Sequence, residues 1–262
     1  MTKGLKSKAI QLLDEAYEKH KSISEPLSVL DPEMTIDEAY AIQIQRVEAA
    51  TRNGEVISGK KIGLTSLAMQ SLLGVDQPDY GHLFHSMEVP TGGSVSLGKL
   101  FQPKIEGEIA FVLKKDLIGP NVTVEDVLDA TDYVLPAIEI VDSRIKDWKI
   151  KLVDTVADNA SCGLYVLGSN KVKISEIDLK AIHMELKKNN EVVNEGKGTD
   201  VLGDPAICVA WLANKLHGYN VNLKAGEVIL SGALSAAVVA EPGDHFTVSF
   251  STLGEVKVQF VE

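Results

Sequence analysis

Cysteine is scarce in this chain of 262 residues: Cys162 and Cys208 are the two present, far apart and outside any metal-binding spacing. That excludes a disulfide framework and a cysteine-based zinc site, and a reducing, cytoplasmic setting is expected. A long apolar run is also missing, so no membrane span is expected. The first residues, MTKGLKSKAIQLLDEAYEKHKS, carry charge throughout and lack the apolar centre of a signal peptide. Clusters of Lys and Arg are absent, and the net charge is -11. Nucleic acid and anionic membrane surfaces reward basic clusters, so neither is an expected partner. There is no internal repeat, low-complexity tract or linker. What remains is 45% hydrophobic and 24% charged, the texture of an ordinary globular protein. A chain this long forms one large domain or two small ones and buries roughly 70–75% of its unfolded surface.

The chain divides by texture into a helical region, 1–55, and a mainly β body, 56–262. Lys8 to Lys21 places Ile10, Leu13 and Tyr17 at helical spacing between charges, which predicts an amphipathic helix packed on the body. Thr35 and Glu38 form a capping-box pattern that opens a second helix, running to about Asn53 and stopped by Gly54. From Val56 onward, short apolar runs alternate with glycine-containing turns. Met184 to Gly196 reads as a hairpin turning at Asn189 and Asn190, residues that tolerate positive φ. Asp204 and Pro205 cap and start a helix with Ile207, Trp211 and Leu212 on one side, ended by Gly218. Ala225 to Leu234 reads as a buried strand entering a small-residue loop, and the last thirty residues as a strand pair with Val256, Val258 and Phe260 alternating. The GKG at 196–198 has neither phosphate-loop nor dinucleotide spacing and is set aside.

Candidate chemistry centres on IEGEIAFVL, Ile105 to Leu113. Glu106 and Glu108 interrupt an apolar, strand-forming run, and residues two apart in a strand leave the same face, roughly 7 Å apart at their roots. Paired anions in such a setting need a cation; otherwise desolvation and repulsion force a proton onto at least one of them. Glu139, between Ile138 and Ile140, stands in a similar run. Three carboxylates without a nearby Cys or His suit a hard divalent cation such as Mg²⁺ or Mn²⁺. The plainer reading is two strands with one wet face, since nothing local makes them neighbours.

Other candidates are weaker on their own. Lys61, in GKKIGLTS, precedes an apolar residue and can point inward, although lysines here usually reach out to water. A short helix capped by Thr65 or Ser66 is expected next. Asp79, in VDQPDYG, is by composition a turn residue. His82 and His85 would face opposite sides of a strand, which discounts them as a metal pair. The polar stretch from Asp142 to Gly168 ends in ADNAS at the start of a new strand. Asp158, Asn159 and Ser161 there suit either a site on a loop or a set of turn and capping bonds.

The segments GKKIGLTS, VDQPDYG, the EGE strand, the Glu139 strand, DSRIKDWKIKLVDTVADNASCG and AGEVILSGAL stand in an order that resembles the 2-hydroxypenta-2,4-dienoate hydratases. These belong to the hydratase/decarboxylase branch of the fumarylacetoacetate hydrolase superfamily, and the resemblance runs from the second helix to the last strand. It implies an α+β fold: a mainly β body of rolled or sandwiched mixed sheets with amino-terminal helices packed on it. It also implies a divalent metal held by Glu106, Glu108 and Glu139, catalytic roles for Lys61 and Asp79, and substrate contacts from Ser161 and Leu64. The implied reaction adds water to 2-hydroxypenta-2,4-dienoate to give 4-hydroxy-2-oxopentanoate, in meta-cleavage degradation of aromatic compounds.

A homo-oligomer is implied too, and a complex with the pathway's decarboxylase or hydratase is left open. The sister activity is 4-oxalocrotonate decarboxylase. Trp148 and NASCG are similar to the hydratase, whereas SAAVVAEPGD after Leu234 leans toward the decarboxylase; the longer segment favours the hydratase. A catalytically quiet partner subunit is a further alternative, disfavoured because every candidate site residue is present. A carbon–carbon hydrolase would need a base for water, for which His20 and His82 are remote candidates.

Overall fold

The computed structural model describes residues 3–67, 70–71 and 74–262. Among the described residues, six α-helices and thirteen strands follow one another. The helices are α1 (Lys3–Lys19), α2 (Leu27–Leu30), α3 (Ile36–Arg52), α4 (Val124–Ala130), α5 (Leu152–Ala157) and α6 (Pro205–His217). The strands are β1 (Ile57–Gly63), β2 (Asp79–Phe84), β3 (Glu88–Pro90), β4 (Gly93–Ser96), β5 (Lys104–Leu113), β6 (Thr131–Val141), β7 (Cys162–Leu167), β8 (His183–Lys188), β9 (Glu191–Lys197), β10 (Val228–Ala233), β11 (Val238–Val239), β12 (His245–Phe250) and β13 (Gly254–Val261).

Local chemistry sets most of these boundaries. Thr35 accepts from the Glu38 amide while the Glu38 carboxylate takes the Thr35 N–H, so α3 begins on the expected capping box. Such a cap is worth about 1 kcal/mol. Asp204 caps α6 through the Ala206 amide. Asn189 (φ 53°) and Asn190 (φ 70°) form the left-handed two-residue turn joining β8 to β9. The short helix expected after Thr65 falls largely on residues 68, 69, 72 and 73, outside those described.

Several expectations need correction. Asp79 is not a turn residue: it is buried as the first residue of β2. Ile207 does not join the packed side of α6. It is 42% exposed, and Cys208, Val209, Leu212, Ala213 and Leu216 face the core instead. Tyr17 is also 41% exposed, its ring lying between the Arg46 and Arg144 guanidiniums at 4.9 and 4.8 Å. Lys60 and Lys61 do not reach water; both are buried. Helices α4 and α5 escaped the sequence reading, although Thr123 and Asp126 form a capping box that announces α4.

The larger sheet runs β2-β1-β10-β5-β6-β7-β3, with β11 also on β5; the smaller runs β4-β13-β12-β8-β9. The larger sheet is mixed, since β1 runs parallel to β10 while β5 is antiparallel to both β10 and β6. It curls: the Tyr165 hydroxyl on β7 bonds Ser58 on β1 at 3.0 Å, although three strands separate them in the sheet.

Alternation gives the curled sheet two different faces. Ile105, Ile109, Phe111, Ile138 and Ile140 point outward and join the main core with Met184, Leu186, Phe246 and Val248 of the smaller sheet. Gly107 lets the sheets meet, because a Cβ there would lie 2.7 Å from Val248 Cγ1. The inner face carries a second apolar cluster of Leu83, Ala110, Leu135, Ala137, Cys162, Tyr165 and Leu230. Gln43 ties α3 to this body by donating to the Tyr80 and Val156 carbonyls at 3.0 and 2.8 Å. Among the described residues no helix is long and apolar enough to cross a membrane.

Candidate active site and metal centre

The register of β5 and β6 settles whether the acids are neighbours. Glu106 lies directly opposite Glu139, and Glu108 opposite Ala137. All three side chains therefore leave the inner face together, and one oxygen from each lies within 4.8 Å of the others. Glu108 and Glu139 are fully buried and Glu106 half-buried.

Glu108 Oε2 accepts from the Gly232 amide at 2.7 Å, at a point where the register of β10 slips. Gly232 has φ +109°, and a Cβ on it would strike Thr65 Oγ1 at 2.2 Å, so that amide is presented from a position that only glycine fits. Glu108 Oε1 and both Glu139 oxygens have no hydrogen-bond partner. Buried acceptors left this way are costly unless a cation or ligand completes them. Three convergent carboxylates with spare oxygens fit a hard divalent ion of the Mg²⁺ or Mn²⁺ type.

Lys61 and Asp79 complete the cluster. Lys61, on β1 opposite Gly81 and beside Leu230, puts Nζ 3.0 Å from Glu139 Oε1, an ion-pair distance without hydrogen-bond alignment. Asp79 lies opposite Gly63. A Cβ at position 63 would meet Asp79 Oδ1 at 2.3 Å and Lys61 Nζ at 3.4 Å, so both charged groups lean over bare backbone. Asp79 Oδ1 is buried and unpartnered.

Burial, against the pull of Lys61, pushes Asp79 up to about 6. Burial and the facing Glu139 push Glu106 up to about 7 and Glu108 well above the usual carboxylate range. For Lys61 burial works downward, but Glu139, then Asp79 and Glu106, outweigh it and hold the ammonium charged.

The ADNAS segment is a structural clamp beside this cluster. Asn159, Ala160 and Ser161 all have left-handed φ (56°, 52° and 52°), a run that costs energy and persists where the surroundings enforce it. The Asn159 amide bonds both ways with the His82 backbone, accepting at 2.8 Å and donating at 2.9 Å. Asp158 receives Arg144 Nε at 2.8 Å, and the same guanidinium donates to the Cys162 and Asp158 carbonyls at 2.9 and 2.8 Å. Arg144 is the largest fully buried side chain and went unnoticed in the sequence, where only its place in DSRIKD beside a polar stretch hints at it.

Of the remaining candidates, Ser161 is buried, its hydroxyl bonded to Thr155 Oγ1 at 3.0 Å. Leu64 follows Gly63 with φ 56°, its carbonyl taking the Gln70 side-chain amide. The structure thus draws Glu106, Glu108, Glu139, Lys61 and Asp79 together, with Leu64 next to them in the chain and Ser161 bonded elsewhere. His82 faces Gln43 Oε1 at 3.1 Å, and burial lowers it to about 3, so it is no ready base; His85 is exposed.

The chain belongs to the fumarylacetoacetate (FAA) hydrolase family, whose C-terminal domain it matches over residues 76–261. It is 49% identical over 254 residues to a 2-hydroxyhexa-2,4-dienoate hydratase of Comamonas testosteroni, covering 96% of each chain. It is 45% identical over 260 residues to a 2-keto-4-pentenoate hydratase of Paraburkholderia xenovorans (strain LB400), covering 99% of this chain and 96% of the other. Among solved structures, a 4-oxalocrotonate decarboxylase from Pseudomonas putida G7, complexed with magnesium and adipate, superposes with a TM-score of 0.96 at 38% identity, covering 100% of this chain and 99% of that one.

Proposed function

We propose that this chain is a hydro-lyase of the 2-hydroxypenta-2,4-dienoate hydratase kind, dependent on a divalent cation. The single observation that carries the reading is the convergence of Glu106, Glu108 and Glu139 beside Lys61 and Asp79, with oxygens of Glu108 and Glu139 lacking hydrogen-bond partners. Support for the hydratase comes from the 45–49% identity to hydratases over nearly the whole chain.

Glu106, Glu108 and Glu139 would hold Mg²⁺ or Mn²⁺, which would supply Lewis-acid polarisation of the substrate's 2-oxygen. Lys61, kept charged by its neighbours, is a fixed cation for the substrate's carboxylate end rather than a base. Asp79, pushed up to about 6 and with a free buried oxygen, gains and loses its proton just below neutral pH and suits proton transfer to carbon. The dienol loses its hydroxyl proton and gains one at C5, giving the conjugated ketone; water then adds hydroxyl at C4 and hydrogen at C3. Ser161 turns from Thr155 to donate to the substrate carboxylate, and Leu64 lines the carbon chain. The enzyme works as a homo-oligomer in the cytoplasm.

Ultraviolet absorbance tests this with 2-hydroxypenta-2,4-dienoate and 4-oxalocrotonate in separate cuvettes, with Mg²⁺ or EDTA. Loss of the dienoate with Mg²⁺ alone, leaving the diacid intact, is expected. Carbon dioxide released from the diacid, with the dienoate untouched, would make the chain a decarboxylase. No turnover of either compound would leave the quiet-subunit alternative standing.

A further inference from the structure

Among the described residues β2 is an edge strand, paired with β1 on one side and with no strand on the other. Asp79 is its first residue, so the carboxylate read above as the proton-transfer group stands on a strand end, where local opening is easiest. Opposite it β1 offers Gly63, whose missing side chain makes room for the carboxylate but gives it no wall.

The open side of β2 is closed by α3. Tyr40 and Gln43, one helical turn apart and both buried, reach Tyr80, the residue after Asp79. The Tyr80 N–H donates to the Tyr40 hydroxyl at 3.3 Å, and the Gln43 side-chain amide donates to the Tyr80 carbonyl at 3.0 Å. One helix thus takes both outward polar groups of an edge residue that would otherwise be buried unpaired. The Tyr40 and Tyr80 rings stack, with centroids 4.5 Å and planes 13° apart. Lys215 of α6 rests 5.4 Å over the Tyr40 ring and donates to Gln77 Oε1, two residues before Asp79.

Gln43 has other duties, since it also donates to the Val156 carbonyl and faces His82. Among the described residues the Tyr40 hydroxyl has one hydrogen-bond partner, the Tyr80 amide. The Asp79 carboxylate is near enough to act on that phenol: after burial, it is the largest influence keeping the hydroxyl protonated. We propose that Tyr40 is a positioning residue for proton transfer: its hydroxyl pins the Tyr80 amide and so holds the Asp79 carboxylate over Gly63, beside Lys61. This rests on the reading of Asp79 given above. Without the pin, the strand end that carries Asp79 loses its fixed place, and a misplacement of about 1 Å can cost on the order of 100-fold in rate.

Tyr40→Phe removes the hydroxyl and keeps the ring with its packing. With 2-hydroxypenta-2,4-dienoate and saturating Mg²⁺, kcat is expected to fall about tenfold or more, while KM and the Mg²⁺ dependence stay as they are. In metal-free protein the Tyr80 amide should exchange its hydrogen faster. Asp79→Asn supplies the decisive background: there Tyr40→Phe should cost no further rate, because the group it positions is gone. Tyr80→Phe is the control, since that hydroxyl has no hydrogen-bond partner, and it should leave kcat unchanged. An unchanged kcat or unchanged Tyr80 exchange in Tyr40→Phe would overturn the proposal and leave Asp79 in its role. So would an equal loss in Tyr80→Phe, or the same fold loss from Tyr40→Phe in both backgrounds. Full turnover by Asp79→Asn itself would overturn both.

Discussion

Arg144 and Lys61 are both buried cations beside a buried carboxylate, and the surroundings of the two pairs differ. Each guanidinium nitrogen of Arg144 has an acceptor: Nε meets both Asp158 oxygens and the other two nitrogens each meet a carbonyl, and the Asp158 carboxylate also takes the Arg144 amide. Lys61 stands 3.0 Å from Glu139 without hydrogen-bond alignment, in a cluster where Asp79 Oδ1, Glu108 Oε1 and both Glu139 oxygens lack hydrogen-bond partners. The first pair closes on itself and locks the left-handed turn at 159–161. The second leaves valences open on the concave face of the same sheet. Burial alone therefore does not mark a site; unspent hydrogen-bonding capacity at convergent groups does.

The contrast can be broken from either side. The largest effect is expected from Asp79→Asn, which keeps the shape and removes the titrating proton. Turnover should fall about 10²–10⁴-fold, the usual worth of a positioned acid or base, with Mg²⁺ affinity and melting temperature nearly unchanged. Steady-state kinetics beside calorimetry checks this, and full turnover would remove Asp79 from the mechanism.

Arg144→Ala attacks the closed pair. It strands Asp158 without its cation, and urea unfolding should show a loss of about 3–5 kcal/mol. A loss below about 1 kcal/mol, the level of a surface pair, would show that the clamp is ornamental to the fold.

Acidity sharpens the difference. Glu106 titrates from 4.5 in the unfolded chain to about 7 in the fold. Between those values the native state holds more protons than the unfolded state, so the metal-free protein should lose stability as pH rises through this window. Added Mg²⁺ should raise the melting temperature more at pH 7.5 than at pH 5, because protons compete with it at low pH. Scanning calorimetry at both values, with and without EDTA, reads the effect. The smallest change is expected far from both clusters: Thr35→Ala should cost about 1 kcal/mol by removing the α3 cap, with activity unaffected.

What was legible in the sequence was local. Thr35 with Glu38, Asp204 with Pro205, and Asn189 with Asn190 announce their caps and turn, because the chemistry spans four residues or fewer. Glu106 and Glu108 advertise a shared face through strand periodicity alone. The facing of Glu106 and Glu139 is a pairing across thirty-odd residues of chain, and no local pattern encodes it; the acid in each apolar run hinted at it, and the family resemblance implied it. Asp79 looked like a turn residue because QPD is turn chemistry, yet β2 begins within it and carries Asp79 to Gly63 on β1. Ile207 looked like core by type, but the wheel of α6 turns Cys208, Val209 and Leu212 inward and leaves no room for it. The Arg144–Asp158 clamp was hidden since Arg144 drew no reading of its own and Asp158 read as a turn or capping acid.

The central claim is that the open cluster is a divalent-cation site. Titrating Mn²⁺ into metal-free protein, followed by calorimetry or by the ion's paramagnetic resonance, tests it most directly when the unaltered chain is set beside Glu106→Gln and Glu139→Gln. The account predicts one ion bound per chain and a loss of affinity of about 100-fold or more in each variant, with the fold retained. Equal Mn²⁺ binding by all three proteins would contradict it.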